Sequence, residues 1–202
     1  MKKYFQRLIN LKLMLLVAIS VYSCCFFWHD QGELQNTYTL SEEAKNLLAY
    51  SEEGFIRLKH SEGFDFEMHV QPDQGYYNNK FDGECQDYDR FEFVNATLST
   101  EIPLTKLRFS VIQPDPNFEF EIEPNLAISE LRPGQANSNV LQFFIPDLDQ
   151  ELSLEIEGIT YNNVTEYLSQ DPEYYISKIY YNTSNGFIQM NYLNGEYVQL
   201  QP

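Results

Sequence analysis

The chain has 202 residues, a formal net charge of −17, and 15 each of tyrosine and phenylalanine. That length suits one ordinary domain with a short appendage rather than an array of domains. The acidity works against nucleic acid and anionic head groups, so no nucleic-acid partner is expected. The aromatic content argues against disorder and for a packed, β-rich core.

The leading segment is basic, with Lys2, Lys3, Arg7 and Lys12. A run of about ten apolar residues follows over 13–22, the length of a signal-peptide core and roughly half of what crosses a bilayer. Val21, Tyr22, Ser23 and Cys24 come next: a branched apolar residue, a tolerant position, a small residue and a cysteine. This resembles the lipobox of bacterial lipoproteins. The resemblance implies cleavage before Cys24 and fatty acylation (palmitate or a similar chain) of its sulfur and its new amine. An ordinary cleaved signal and an uncleaved anchor are the alternatives. Cys25 is a poorer acceptor, because Tyr22 and Cys24 would then flank the cut. Each buried methylene contributes about 0.8 kcal/mol and stable anchoring takes two chains or more, so an acylated Cys24 would hold a domain on a membrane without a spanning helix. Loss of the leader removes four positive charges and no negative ones from −17, leaving about −21, a solvated acidic surface.

Three segments are therefore expected: 1–23 as signal peptide, 24–39 as lipidated cysteine and tether, and 40–202 as a single β-rich domain. The tether carries Phe26, Phe27 and Trp28, rings that are favoured at a membrane interface. With Cys24 acylated, Cys25 and Cys85 are left; an exported setting permits a disulfide between them without demanding it.

Residues 40–50 are the one good helix candidate. Ser41 or Thr39 can cap it, Glu42 and Glu43 suit its positive end, and Leu40, Ala44, Leu47 and Leu48 give one apolar face. Strands follow. Residues 55–60 and 64–70 flank Ser61-Glu62-Gly63, a three-residue hairpin loop with glycine last. That register sets Leu58 opposite Phe66 and Ile56 opposite Met68 on an apolar face. It sets Lys59 opposite Asp65 and Arg57 opposite Glu67 on a charged one, and a one-residue slip would destroy both patterns. Residues 71–82 read as a loop, 88–99 and 104–112 as strands, and 118–122 as a half-buried strand with an acidic outer face. Residues 128–139 read as a loop and 140–145 as a short apolar strand. A two-residue turn at Glu157-Gly158 sets Ile156 against Ile159 and Leu154 against Tyr161. The end of the chain, 176–183, 187–192 and 196–200, reads as a meander. Its last loop, Leu193-Asn194-Gly195, sets Met190 against Val198 and Ile188 against Leu200. Ile179 and Tyr181 fall on one face.

Hairpins with one apolar face must pack on something. The expected fold is mainly β: a curved antiparallel sheet, partly open barrel or sandwich, with one short N-terminal helix.

The sequence Ile156-Glu157-Gly158-Ile159-Thr160-Tyr161-Asn162-Asn163-Val164, then Lys178-Ile179-Tyr180-Tyr181-Asn182 and Gly186-Phe187-Ile188, resembles the C-terminal half of small uncharacterised envelope lipoproteins of the Bacteroidota. Those carry I-N-G-x-x-Y-x-N-V and I-Y-Y-N-x-x-x-G-L-I patterns behind a lipobox. Here Glu157 stands where the turn asparagine is usual, which weakens the turn. The resemblance implies a cell-envelope location, lipid-anchored and at the outer membrane, and it carries no functional residues over.

No nucleophile elbow, Gly-rich phosphate loop, Cys-x-x-Cys or His-Glu-x-x-His is present. In the 55–70 hairpin His60 and His69 fall on opposite faces, which argues against a shared metal, and no cofactor is implied. Residues 78–89 have a faint calcium-loop look, but lysine sits where a ligand belongs and the last place holds Asp89, not a bidentate glutamate. Tyrosine doublets are the better candidates: one member of each pair in a strand faces outward, so Tyr76, Tyr77, Tyr174 and Tyr180 could stack on a ligand. The function expected is a non-catalytic binding or assembly accessory, with membrane lipid and an envelope protein or glycan as partners. The alternatives are a hydrolase of envelope or nutrient glycans using a carboxylate pair and, more weakly, a lipid or lipoprotein carrier.

Overall fold

The computed structural model describes residues 32–80, 87–101, 104–115, 124–131 and 140–201. In chain order its elements are β1 (Leu34–Tyr38), α1 (Glu42–Lys45), β2 (Gly54–His60), β3 (Asp65–Lys80), β4 (Tyr88–Glu101) and β5 (Leu104–Ile112). They continue with β6 (Leu126–Leu131), β7 (Val140–Ile156), β8 (Ile159–Ser169), β9 (Ile176–Asn182), β10 (Gly186–Tyr192) and β11 (Tyr197–Leu200). They fall into two compact units. One is Met1–Tyr38 with Asn78–Arg90, and the other is Thr39–Tyr77 with Phe91–Pro202.

The larger unit is a closed antiparallel barrel. Ten strands follow one another as β4-β3-β2-β11-β10-β9-β8-β7-β6-β5, and β5 pairs back onto β4. The seam runs in register from Phe93–Ile112 to Glu101–Leu104. Closure leaves the ring without an unpaired terminal strand among the described residues and settles the choice among sheet, sandwich and barrel. The interior is filled. Leu58, Leu98, Leu107, Phe109, Ile128 and Tyr181 are all at most 2% exposed. Ten strands enclose more width than their own side chains fill, since about eight already leave just enough room. The segment 40–50 supplies the difference: Leu40, Ala44, Leu48 and Tyr50 join the barrel's core cluster.

That segment is not the long helix its spacing suggests. Ser41 caps it as expected, its Oγ accepting from Ala44 N at 3.1 Å, but the helix ends at Lys45. The chain then straightens, and Leu47 O and Ala49 N meet the Tyr181 hydroxyl at 2.9 and 2.7 Å. Tertiary bonds override a local preference worth only tenths of a kcal/mol per residue.

The first hairpin has the expected register, with Leu58–Phe66, Ile56–Met68, Lys59–Asp65 and Arg57–Glu67 as partners. So does the turn at 157–158, with Ile156–Ile159 and Leu154–Tyr161. In the last hairpin Met190 meets Val198. Four segments differ from expectation. Residues 34–38, expected within the tether, form β1. Residues 71–80 continue β3 as strand rather than loop, and 126–131 form β6 where 128–131 had read as loop. Residues 140–145 are the start of a single long β7, irregular between Asp147 and Leu152. The strand expected at 118–122 lies outside the described residues.

β8 pairs with β9 only from Thr165 to Leu168. Before that point, residues 152–164 form an arm. Asn163 has φ 54, and just beyond it β8 joins the barrel. The arm's Ile156, Tyr161 and Val164 pack with Tyr180 and Ile188 in a second small apolar cluster. At its tip Glu157 pairs with Lys59 of β2 at 2.6 Å.

In the smaller unit two aspartates fasten β1. Asp87 accepts from Glu33 N and Gln35 Nε2 at 3.0 and 2.9 Å. Asp89, 2% exposed, accepts from Asn36 N and Nδ2, both at 3.0 Å.

Candidate functional site

A barrel with a filled interior offers its ends. At the end where α1 and the 183–185 turn lie, an open groove of about 920 Å3 has formed. Its volume is within the usual span of ligand pockets, about 300–1,000 Å3. Its wall carries Asn46, Ser51, Asp73, Gln74, Asn95 and Thr183, none with a side-chain hydrogen bond among the described residues. Asn95 Oδ1 is buried without a partner. Lys45, also in the wall, is engaged by Glu92 at 3.1 Å and Glu42 at 3.4 Å. The groove's carboxylates, Glu42 and Asp73, are both exposed.

The opposite end is aromatic. Register places Glu130 beside Leu107, on the inner face of β6, and it is only 3% exposed. The Tyr174 and Tyr175 hydroxyls donate to its two oxygens. Rings continue from there. Tyr174 lies 4.7 Å from Tyr175, and Tyr175 stacks on Tyr192 with centroids 6.1 Å apart. Tyr192 lies 6.2 Å from His60, which stacks on Phe64 at 4.4 Å. Burial and then the Glu130 carboxylate hold the Tyr174 and Tyr175 phenols well above their usual range, and burial with Glu130 and Glu196 pushes Tyr192 up to about 12. His60 Nδ1 accepts from Glu62 N at 3.2 Å, and its Nε2 lies 3.8 Å from Glu196. His69 sits apart, 2.9 Å from Glu53.

The sequence-predicted tyrosines do not converge. Tyr76 and Tyr77 are exposed on β3, Tyr77 stacked on Phe91 at 5.3 Å. Tyr174 belongs to the aromatic end. Tyr180 faces away from the barrel core as expected, yet it is 8% exposed because the arm covers it, so it offers no contact surface. Cys24, Cys25 and Cys85 lie outside the described residues, as does the 81–86 stretch of the calcium-like loop. Within that loop Asp87 and Asp89 are engaged by β1.

Sequence reasoning missed the groove and, apart from Tyr174, the aromatic end. The groove draws two or three residues each from α1, β3 and β4, five from 46–51 and one from a turn, and no local spacing announces that. Glu130 did leave a signal: an acid in ISEL, at a position whose neighbours Ile128 and Leu131 are apolar.

Compared with known proteins, the chain matches no family model, no curated relative and no solved structure.

Proposed function

We propose that this chain is a non-catalytic binding accessory of the cell envelope, held on a membrane through acylated Cys24. One observation carries the binding part: a groove of about 920 Å3 in which the Asn46, Ser51, Asp73, Gln74, Asn95 and Thr183 side chains have no hydrogen-bond partner among the described residues. The interior is packed with Leu58, Leu107, Phe109 and Tyr181, which weighs against a lipid carrier. The groove's two carboxylates stand exposed on separate elements, which weighs against a hydrolase that needs a raised-pKa acid over its substrate.

The leader supports the anchor, and the barrel's outer face weighs against a barrel that itself spans a bilayer. That face carries Arg57, Lys59, Glu67, Glu166 and Lys178, while the inner face is apolar apart from Glu130 and a few other polar side chains. A barrel that spans a bilayer has the opposite pattern. Among the described residues no helix is long and apolar enough to cross. Nine residues lie between Cys24 and Leu34, ten Cα steps, so β1 starts at most about 35 Å from the lipid.

Two measurements test the proposal. The intact mass of the native protein should show loss of residues 1–23 and gain of acyl chains, and Cys24→Ser should move it to the soluble exported fraction. A full-length leader, or an unchanged membrane pellet, overturns the anchor. A photo-crosslinker at Thr183, which faces the groove, should give a discrete adduct in native membranes that the same group at Glu155, on the arm, does not. Equal labelling from both positions overturns the groove.

A further inference from the structure

We infer that the aromatic end of the barrel is a binding site for an organic cation, an ammonium or guanidinium group, with Glu130 as the buried counter-charge and Tyr175, Tyr192 and Phe64 as the ring surface. It rests neither on the groove nor on the lipid anchor.

Glu130 is 3% exposed, and among the described residues no lysine, arginine or histidine forms an ion pair with it. A carboxylate withdrawn from water is normally held by a cation or a metal. Here two phenol hydroxyls hold it. They donate one hydrogen bond to each oxygen and bring no positive charge. No group of metal-ligating side chains gathers there among the described residues.

Next comes what lies over that charge. Both donors are tyrosines, and a phenol donating to a carboxylate has a more electron-rich ring. Cations are drawn to the faces of such rings within about 6 Å of the centroid, more strongly where water is excluded. The ring array is continuous from Tyr174 to Phe64. Part of it is open: Tyr175 is 46% and Phe64 44% exposed. Neighbouring charges agree in sign. Glu196 lies 3.8 Å from His60, and Asp171 is near enough to act on the Tyr174 phenol. A buried anion, electron-rich rings above it and an acidic rim favour a positive, weakly hydrated group. They disfavour an anion or a strongly hydrated metal ion.

The test uses the full chain in a zwitterion-free, non-ionic detergent, with tyrosine ring resonances as the readout. Choline chloride and acetyl-arginine amide are the cationic probes, and 3,3-dimethylbutan-1-ol is the neutral isostere of choline. The two cations separate a small amine ligand from a side chain offered by a protein partner. The expected result is saturable movement of the Tyr175 and Tyr192 signals by at least one cation, about tenfold tighter than by the alcohol. Glu130→Gln keeps the size of the side chain and removes the charge, and should bring the cation down to the alcohol's affinity. Tyr175→Leu, at an exposed ring, keeps the test alive if the buried substitution fails to fold, and should weaken the cation severalfold. Equal binding of choline and its neutral isostere overturns the inference. So does an unchanged cation affinity in Glu130→Gln. So does the absence of any saturable shift from either cation.

Discussion

Tyr50, Tyr167 and Tyr181 place three phenols among buried side chains, at 8%, 5% and 2% exposure. Burial raises all three, Tyr181 to about 12. The protonated form is the one the fold favours, so their contribution is fully present below the unfolded value near 10 and is lost as pH rises toward the folded values. Each adds a slope of about 1.4 kcal/mol per pH unit in that window, about 4 for the three together. Thermal unfolding should therefore change little between pH 7 and 9 and fall steeply above 10. Absorbance of tyrosinate should show a set of phenols that ionise only as the fold is lost. A smooth titration of all tyrosines with the fold intact would contradict this. A different residue-scale strain sits at Glu157, whose φ is 50. A left-handed glutamate costs about 1–2 kcal/mol, and the exposed Lys59 pair it makes returns about 0–1. Glu157→Asn should raise stability by about 0.5–1 kcal/mol, read as a higher urea midpoint at unchanged slope. No gain would mean that the ion pair outweighs the backbone strain. The sequence identified this turn and its weakness. Glu130 was marked only by an acid among apolar neighbours, which breaks the alternation of a strand, and Tyr174 and Tyr175, 44 and 45 residues away, make that position tolerable.

Elements were legible wherever one face met the core and the other met water. The hairpin of β2 and β3 and the turn into β8 have the registers that their apolar and charged pairs demand. The second half of β3 was not legible, because Asp73, Gln74, Tyr76, Tyr77 and Asn78 are all exposed and no alternation survives. The arm is a third case. Its residues are patterned for burial, but the sheet they cover is the outer face of the barrel, where Tyr180 and Ile188 point. Nothing local distinguishes outer from inner. The arm is thus a satellite of the core, fastened by a few side chains. Ile156→Ala removes one of them and should cost about 2–4 kcal/mol locally. Hydrogen exchange should quicken across 152–164 while β9 and β10, whose inner faces stay packed, keep their protection. Equal loss of protection in β9 and β10 would show that arm and barrel open as one.

Closure of the barrel is a property of the whole molecule, and no stretch of sequence encodes it. Each hairpin reads singly; that β4 meets β5 after the ring has passed through every other barrel strand depends on the accumulated twist and tilt. Closure has a consequence for segment 40–50. A ring this wide needs an insert, and the insert needs anchors in the wall. Tyr181 is one: its hydroxyl donates to Leu47 O at 2.9 Å and accepts from Ala49 N at 2.7 Å. Tyr50 returns the bond, its oxygen accepting from Phe187 N at 2.6 Å. These contacts join residues more than 130 apart in sequence, so the insert should be part of the cooperative unit rather than a plug added to a finished barrel. Tyr181→Phe keeps the ring that stacks on Phe109 at 5.4 Å and removes only the hydroxyl. It leaves a backbone donor and acceptor without their partner, at about 1–3 kcal/mol for such groups. If insert and wall are one unit, the loss falls on global stability: the denaturant midpoint drops, the slope holds, and exchange quickens in 40–50 and in β9 and β10 together. If the insert is separable, exchange quickens in 40–50 alone and the midpoint stays where it was. The first outcome is the expected one, because a ten-stranded ring emptied of Leu40, Leu48 and Tyr50 would keep a void that the surrounding strands cannot close without breaking the β4–β5 seam.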